Sequence, residues 1–233
     1  VCLGGTITLT ATGAVTYTWS PGTDLSATTG ASVDFTAGTA NTYTVIGTDA
    51  NGCVNSDLTN VSVIPNAPIN AGPDVTICDG DITTLTATGG VTYNWQAPIG
   101  AAGAVQNVSP ATTTTYTVDG VDAAGCIGSD QVTITVDPIP TVNPIADEVL
   151  CANTTTTAVT FTGSVAGTTY DWTNDNTSIG LAAAGTGNIA SFTAVNIGSS
   201  PEVATITITP TANGCIGTPI TFTITVDPIP TVD

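Results

Sequence analysis

Six cysteines, 18 carboxylates and a complete lack of lysine, arginine and histidine limit what chemistry this 233-residue chain can perform. Without an imidazole or an amine there is no ordinary base to activate a Ser or Thr hydroxyl as a nucleophile. The cysteines fall into three widely spaced couples, Cys2 with Cys53, Cys78 with Cys126, and Cys151 with Cys215. Zinc sites favour close couples such as C-x-x-C, and the sequence has none. The spacing therefore predicts three structural disulfides, one within each couple. Each would close a loop of about 50 to 65 residues, worth roughly 4 kcal/mol by the loop-entropy argument. Bonded cysteines need Cα atoms within about 7 Å, so no bond is expected to cross from one couple to another. Disulfides imply an oxidising, extracellular destination.

The carboxylates offer two further chemistries. Asp79 and Asp81 in "CDGD" form the closest acidic couple, but they flank a turn glycine and have no counterpart elsewhere, so no catalytic residue is assigned. Calcium suits hard oxygen ligands, and no basic side chain competes for them. The acids beside the proline-rich stretches, Asp74, Asp79, Asp81, Asp147 and Glu148, are the candidate ligands for a structural calcium ion. No other cofactor is expected. Asp49 and Asp57 recur as Asp122 and Asp130, yet a hairpin turning near Asn51 and Gly52 would hold such a pair roughly 13 Å apart. They are read instead as an Asx-turn residue and a solvated strand residue. With no lysine, Lys–Asn isopeptide cross-links are excluded as well.

Charge narrows the partners. A net charge of −18 repels phosphate, which argues against nucleic acid and against anionic membrane surfaces. No apolar run approaches the roughly 20 residues that span a bilayer, so direct membrane insertion is not expected. Charged residues make up 8% of the chain against about 25% in ordinary domains, so stability must come from burial, backbone hydrogen bonds and cross-links. The chain has neither a basic leader nor a methionine and is expected to be a mature or excised piece.

The elements that carry these residues repeat. "LTATGAVTYTWSP" from Leu9 is rewritten as "LTATGGVTYNWQAP" from Leu85, and Trp19, Trp95 and Trp172 lie 76 and 77 residues apart. "VDPIPTV" occurs at Val136 and again at Val226. Three repeats follow, residues 1–65, 66–137 and a longer, divergent 138–227, with 228–233 opening a linker toward a further repeat. Within each, apolar residues alternate with Thr, as in Ile7, Leu9 and Ala11, which describes strands with one buried face. The three tryptophans are in phase with that face and are assigned as core anchors. Short strands and Gly, Asn and Pro turns point to an all-β fold of three tandem small antiparallel β-sandwiches. Proline linkers would hold them in an extended rod on the order of 100 Å long. Thr-rich outer faces are read as solvated strand surface, and the sequons at Asn60, Asn107, Asn153 and Asn176 as coincidental.

The stretches "AGPDVTICDGDITTLTATGGVTYNW" and "SPATTTTYTVDGVDAAGCIGSDQVTITVDP" resemble the tandem immunoglobulin-like or PKD-like repeats of large secreted bacterial surface proteins, gliding-motility adhesins among them. The resemblance is strong over the second repeat, good over the first and weaker over the third. It implies export, through a type IX system in gliding bacteria, and a cell-surface stalk that presents an adhesive tip. Its expected partners are further repeats of the same chain, with a glycan or surface ligand bound by other parts of the protein. Two rival readings are a repeat subunit of a self-assembled filament with lateral self-association, and a glycan-binding module, which would need exposed aromatics.

Overall fold

Period-two patterning governs what forms. A computed structural model describes residues 1–230, and among them the chain makes eighteen strands and one three-residue 3-10 turn, Thr177–Ile179. The described residues gather into two compact units: 1–75 with 82–108 and 114–134, and 76–81 with 109–113 and 135 onward.

In the first unit, Thr6–Thr10 pairs antiparallel with Ser32–Thr36, while Asn41–Thr48 runs between Thr16–Ser20 and Val54–Val61. Thr and Ser alternate with apolar residues, so "TYTWS" buries Tyr17 and Trp19 and "SVDFT" buries Val33 and Phe35. Leu9, Trp19, Val33, Phe35, Tyr43 and Val61 pack as one core drawn from both sheets, which makes a β-sandwich. Burying each such side chain stabilises by roughly 1.5–3 kcal/mol. The plan recurs from Thr83: Thr83–Thr86 pairs with Val105–Val108, and Thr114–Val121 lies between Thr92–Trp95 and Ile127–Asp137. Leu85, Trp95, Tyr116, Val118, Val132 and Ile134 are among its buried residues.

In the second unit the long strand Glu202–Ala212 is flanked by Thr169–Asn174 and by Ile220–Asp227. Glu148–Cys151 joins Ile220–Asp227 in parallel register, ending with Cys151 opposite Asp227. Phe161, Trp172, Ile206, Ile208, Phe222 and Ile224 belong to one core. The extra length of this repeat includes the 3-10 turn, capped by Asn176, whose Oδ1 accepts from the Ser178 amide at 3.0 Å.

Candidate functional site: cysteine junctions and linker seats

Every repeat holds its first cysteine beside the end of its own last strand: Cys2 bridges Ile64, and Cys78 and Cys151 end the strands Val75–Cys78 and Glu148–Cys151. The amide of the residue after that cysteine donates to the last strand's exit: Leu3 to Ile64 O at 2.8 Å, Asp79 to Asp137 O at 2.9 Å, and Ala152 to Asp227 O at 2.9 Å. The second cysteine sits at the other end. Asp49 Oδ1 accepts from the amides of Asn51 and Cys53, and Asp122 Oδ1 accepts from Ala124 and Cys126, all at 2.8–2.9 Å. Asp49 and Asp122 are thus the Asx-turn residues expected, and each turn presents its cysteine at the start of the last strand.

This placement overturns the expected pairing. The bonds are Cys2–Cys126 and Cys78–Cys215, with Cα atoms 5.5 and 5.7 Å apart, and Cys53 and Cys151 are free and exposed. Cys2–Cys53, Cys78–Cys126 and Cys151–Cys215 do not form. The reason is strand length: Val54–Val61 separates Cys53 from Cys2, and eight residues of strand span about 27 Å. Ile127–Asp137 and Ile220–Asp227 separate the other two couples in the same way. A cysteine at the exit of one repeat instead meets the hairpin tip of the repeat that follows it in sequence. The two bonds interleave along the chain, because Cys78 lies inside the loop closed by Cys2–Cys126.

The proline-rich segments sit in fixed seats. On the second repeat, Ala67, Ile69 and Ala71 are buried, and Asn70 exchanges two backbone hydrogen bonds with Thr88 at 2.8 and 3.0 Å. Ala71 N donates to Asp130 Oδ2 at 2.9 Å, so Asp130 is a clamp rather than the solvated residue expected. Gly128 and Gly89 leave room for the carbonyls of Ala67 and Pro68, where any Cβ would collide. On the third repeat, Asn143 N donates to Thr162 O at 2.8 Å, Pro140 and Val142 are buried, and Gly217 and Gly163 make the same room for the carbonyls of Pro140 and Thr141. Asp74 Oδ1 accepts from Thr133 N at 2.7 Å, and Asp147 Oδ1 accepts from Thr223 N at 2.6 Å, 73 residues on.

These bonds occupy most of the candidate calcium ligands. Asp81 Oδ2 accepts from Cys78 N at 3.2 Å, Glu148 Oε1 accepts from Thr157 N at 2.9 Å, and Asp79 binds through its backbone. Among the described residues, no three acidic or cysteine side chains converge as a metal cluster. Trp19, Trp95 and Trp172 are 4%, 0% and 7% exposed, and each Nε1 donates to a glycine carbonyl, of Gly30, Gly103 and Gly187. All three are core anchors, as their phase predicts, and offer no face to a sugar ring. The outer Thr hydroxyls pair across strands, Thr8 to Asp34 at 2.7 Å and Thr84 to Asn107 at 2.7 Å.

The first repeat carries the equivalent surface as a groove. A groove of about 670 Å³ is lined by residues that include Gly13, Gly47, Cys53, Asn55 and Asp57. By the repeat register these correspond to Gly89, Gly120, Cys126, Gly128 and Asp130 of the filled seat. Thr12, the counterpart of Thr88, has no backbone partner among the described residues. Sequence reading missed these seats. The matched glycines two residues after Cys126 and Cys215 were the available signal.

Residues 65–144 match the family of the Ig-like domain described as CHU_C associated, and residues 147–230 match the PKD-like domain family. Tandem Ig-like and PKD-like domains are therefore present, as the resemblance implied. Among solved structures, the chain is similar to the I-band fragment I67–I69 of titin, at 14% identity and a TM-score of 0.44, covering 98% of this chain and 94% of that one. It is also similar to Sidekick-1 immunoglobulin domains 1–4, at 14% identity and a TM-score of 0.39, covering 99% and 73%. No curated protein matches the chain by sequence.

Proposed function

We propose that the chain is a non-enzymatic, extracellular spacer segment, its repeats 1–65, 66–137 and 138–227 forming part of a larger cell-surface array that holds an adhesive region away from the cell. The observation that carries this reading is the pair of interleaved disulfides joining successive repeats through their ends. A catalytic or ligand-binding domain gains little from such bonds, whereas a segment under tension gains a covalent bypass of its folded parts. Export by a type IX system and a place in a gliding-motility adhesin are the finer form of the same reading, carried by the resemblance of the repeats alone. The buried tryptophans weigh against the glycan-binding alternative.

Pulling single molecules by their termini tests the mechanical role. With both bonds intact the shortest covalent path holds about 70 residues, so full extension should stop near roughly 240 Å at ~3.4 Å per residue. Reduction should release the whole chain to about 800 Å. An oxidised molecule that extends as far as the reduced one would remove the basis for the spacer. Surface labelling of intact cells with an antibody to this segment tests the location, and staining seen only after lysis would reject it.

A further inference from the structure

Neither disulfide closes a loop inside one repeat, so no repeat needs a bond to complete its own core. The core around Trp19 and Phe35 lies wholly within residues 1–65, and the core around Trp172 and Ile206 wholly within 138–227. The turns that present the cysteines are local as well. Asp122 Oδ1 accepts from the amides of Ala124 and Cys126 at 2.9 Å, and Cys215 pairs with Ala212 across a two-residue turn. At the exit, Cys78 N donates to Asp81 Oδ2 at 3.2 Å, and Asp81 N donates to Cys78 O at 3.0 Å.

Spacing works against the native bonds until the strands form. In an unfolded chain the chance of closing a loop falls roughly as the 3/2 power of its length, so Cys2 meets Cys53, 51 residues away, about fourfold more readily than Cys126, 124 away. Cys78 meets Cys126, 48 residues away, about fivefold more readily than Cys215, 137 away. Folding reverses both preferences. The last strands, of eight and eleven residues, hold the favoured couples about 27 and 37 Å apart. The native partners stand with Cα atoms 5.5 and 5.7 Å apart. Access differs within each bond too: Cys126 and Cys215 are 0% and 2% exposed, whereas Cys2 and Cys78 are half-buried.

We infer that both bonds are made after the strands fold, by a disulfide-bearing donor that enters at Cys2 and Cys78, with Cys126 and Cys215 as the buried resolving thiols. The Cys78–Cys215 joint carries this furthest, since the chain is described on both sides of each of its cysteines. The Cys78 thiolate attacks a donor sulfur and expels one donor thiol, then the Cys215 thiolate attacks the Cys78 sulfur and expels the second. The two protons end on the donor sulfurs, the donor is reduced by two electrons, and one S–S bond forms. Oxidation ahead of folding gives bonds that the strands cannot accommodate, and these must be reshuffled by thiol exchange. The inference stands on bond topology and burial and goes beyond the spacer reading.

The experiment starts from reduced, denatured full chain and changes only the order of two steps. Diluted from denaturant under reducing conditions, the chain should regain its strand signal in circular dichroism. Oxidised glutathione added then, at about pH 8 where a thiol is partly ionised, should give Cys2–Cys126 and Cys78–Cys215 by peptide mapping. Oxidation before dilution should give at least fivefold fewer of these two bonds, with Cys2–Cys53 and Cys78–Cys126 prominent, until reduced glutathione is added. Entry is read from two variants. Folded Cys215→Ser should carry a glutathione adduct on Cys78, and in folded Cys78→Ser the Cys215 thiol should react at least tenfold more slowly than the exposed Cys53 and Cys151. A reduced chain that stays unfolded, equal native bonding in either order, or Cys215 as reactive as the exposed thiols would each overturn the inference. The spacer reading rests on the finished bonds, so it survives any of these results while the digest of the native protein still shows Cys2–Cys126 and Cys78–Cys215.

Discussion

Asp57 and Asp130 are the same residue of the same motif, yet one is exposed and the other holds a buried amide. Asp130 accepts from Ala71, which is 1% exposed, so Asp130→Ala strands a buried donor and should cost about 1–3 kcal/mol in chemical denaturation. Asp57→Ala removes only a bond to its neighbour Leu58 and should fall within about 0.5 kcal/mol of the parent. Equal costs at both sites would mean that the linker seat contributes nothing. The phenols give a second prediction at this scale. Burial raises the ionisation of Tyr43 and of Tyr116 above the ordinary value of about 10, with Tyr43 also donating to Thr23 O at 2.6 Å. Because the folded values lie above the unfolded one, the fold favours the neutral phenols. Their contribution is fully present below about pH 10 and is lost as pH rises through the raised values. An alkaline titration followed by phenolate absorbance and circular dichroism should show these two ionising only as the strands melt.

Strand length acts at the scale of the element. A last strand of eight or eleven residues carries the chain from hairpin cysteine to exit, and it places the two cysteines of a repeat at opposite ends. Non-reduced peptide mapping should therefore recover Cys2 with Cys126 and Cys78 with Cys215, and iodoacetamide applied to the native protein should label Cys53 and Cys151. Loops closed over sequence separations of 124 and 137 residues are worth about 5 kcal/mol each by loop entropy, less where the interleaved loops share chain. Reduction should lower the denaturation midpoint of both compact units, since each holds one bond.

Composition acts on the whole molecule. Trypsin needs Lys or Arg at the cleavage point and finds none in 233 residues, so native and reduced, denatured samples should survive it alike. Chymotrypsin has five Tyr, four Phe and three Trp available once the cores open. Its cutting should be slow for the oxidised native protein and rapid after reduction and heating, because proteolysis tracks the population of the open form. Fast native cutting at Trp19, Trp95 or Trp172 would contradict their burial. The same composition leaves no basic side chain to form a salt bridge, so hydrogen bonds such as Asp74 to Thr133 N take the place of ion pairs.

Local patterning alone determined the all-β class, the three tryptophan anchors and the Asx turns at Asp49 and Asp122, because each depends on residues within a few positions of one another. Alternation names a face but not how far the core extends along it: Leu9 is buried while Ile7, two residues earlier on the same face, stays 37% exposed. Which cysteines meet was decided only in three dimensions. Proximity in sequence favoured Cys2 with Cys53, but the extended backbone between them is a rigid spacer, and the linker returns the chain to the far end of the next hairpin. The same holds for Asp130 and Gly128, whose roles depend on residues 59 and 61 positions upstream, at Ala71 and Ala67. Side-chain type and short-range period can be read from a string of letters. A seat made by two distant segments exists only once the strands between them have set its width.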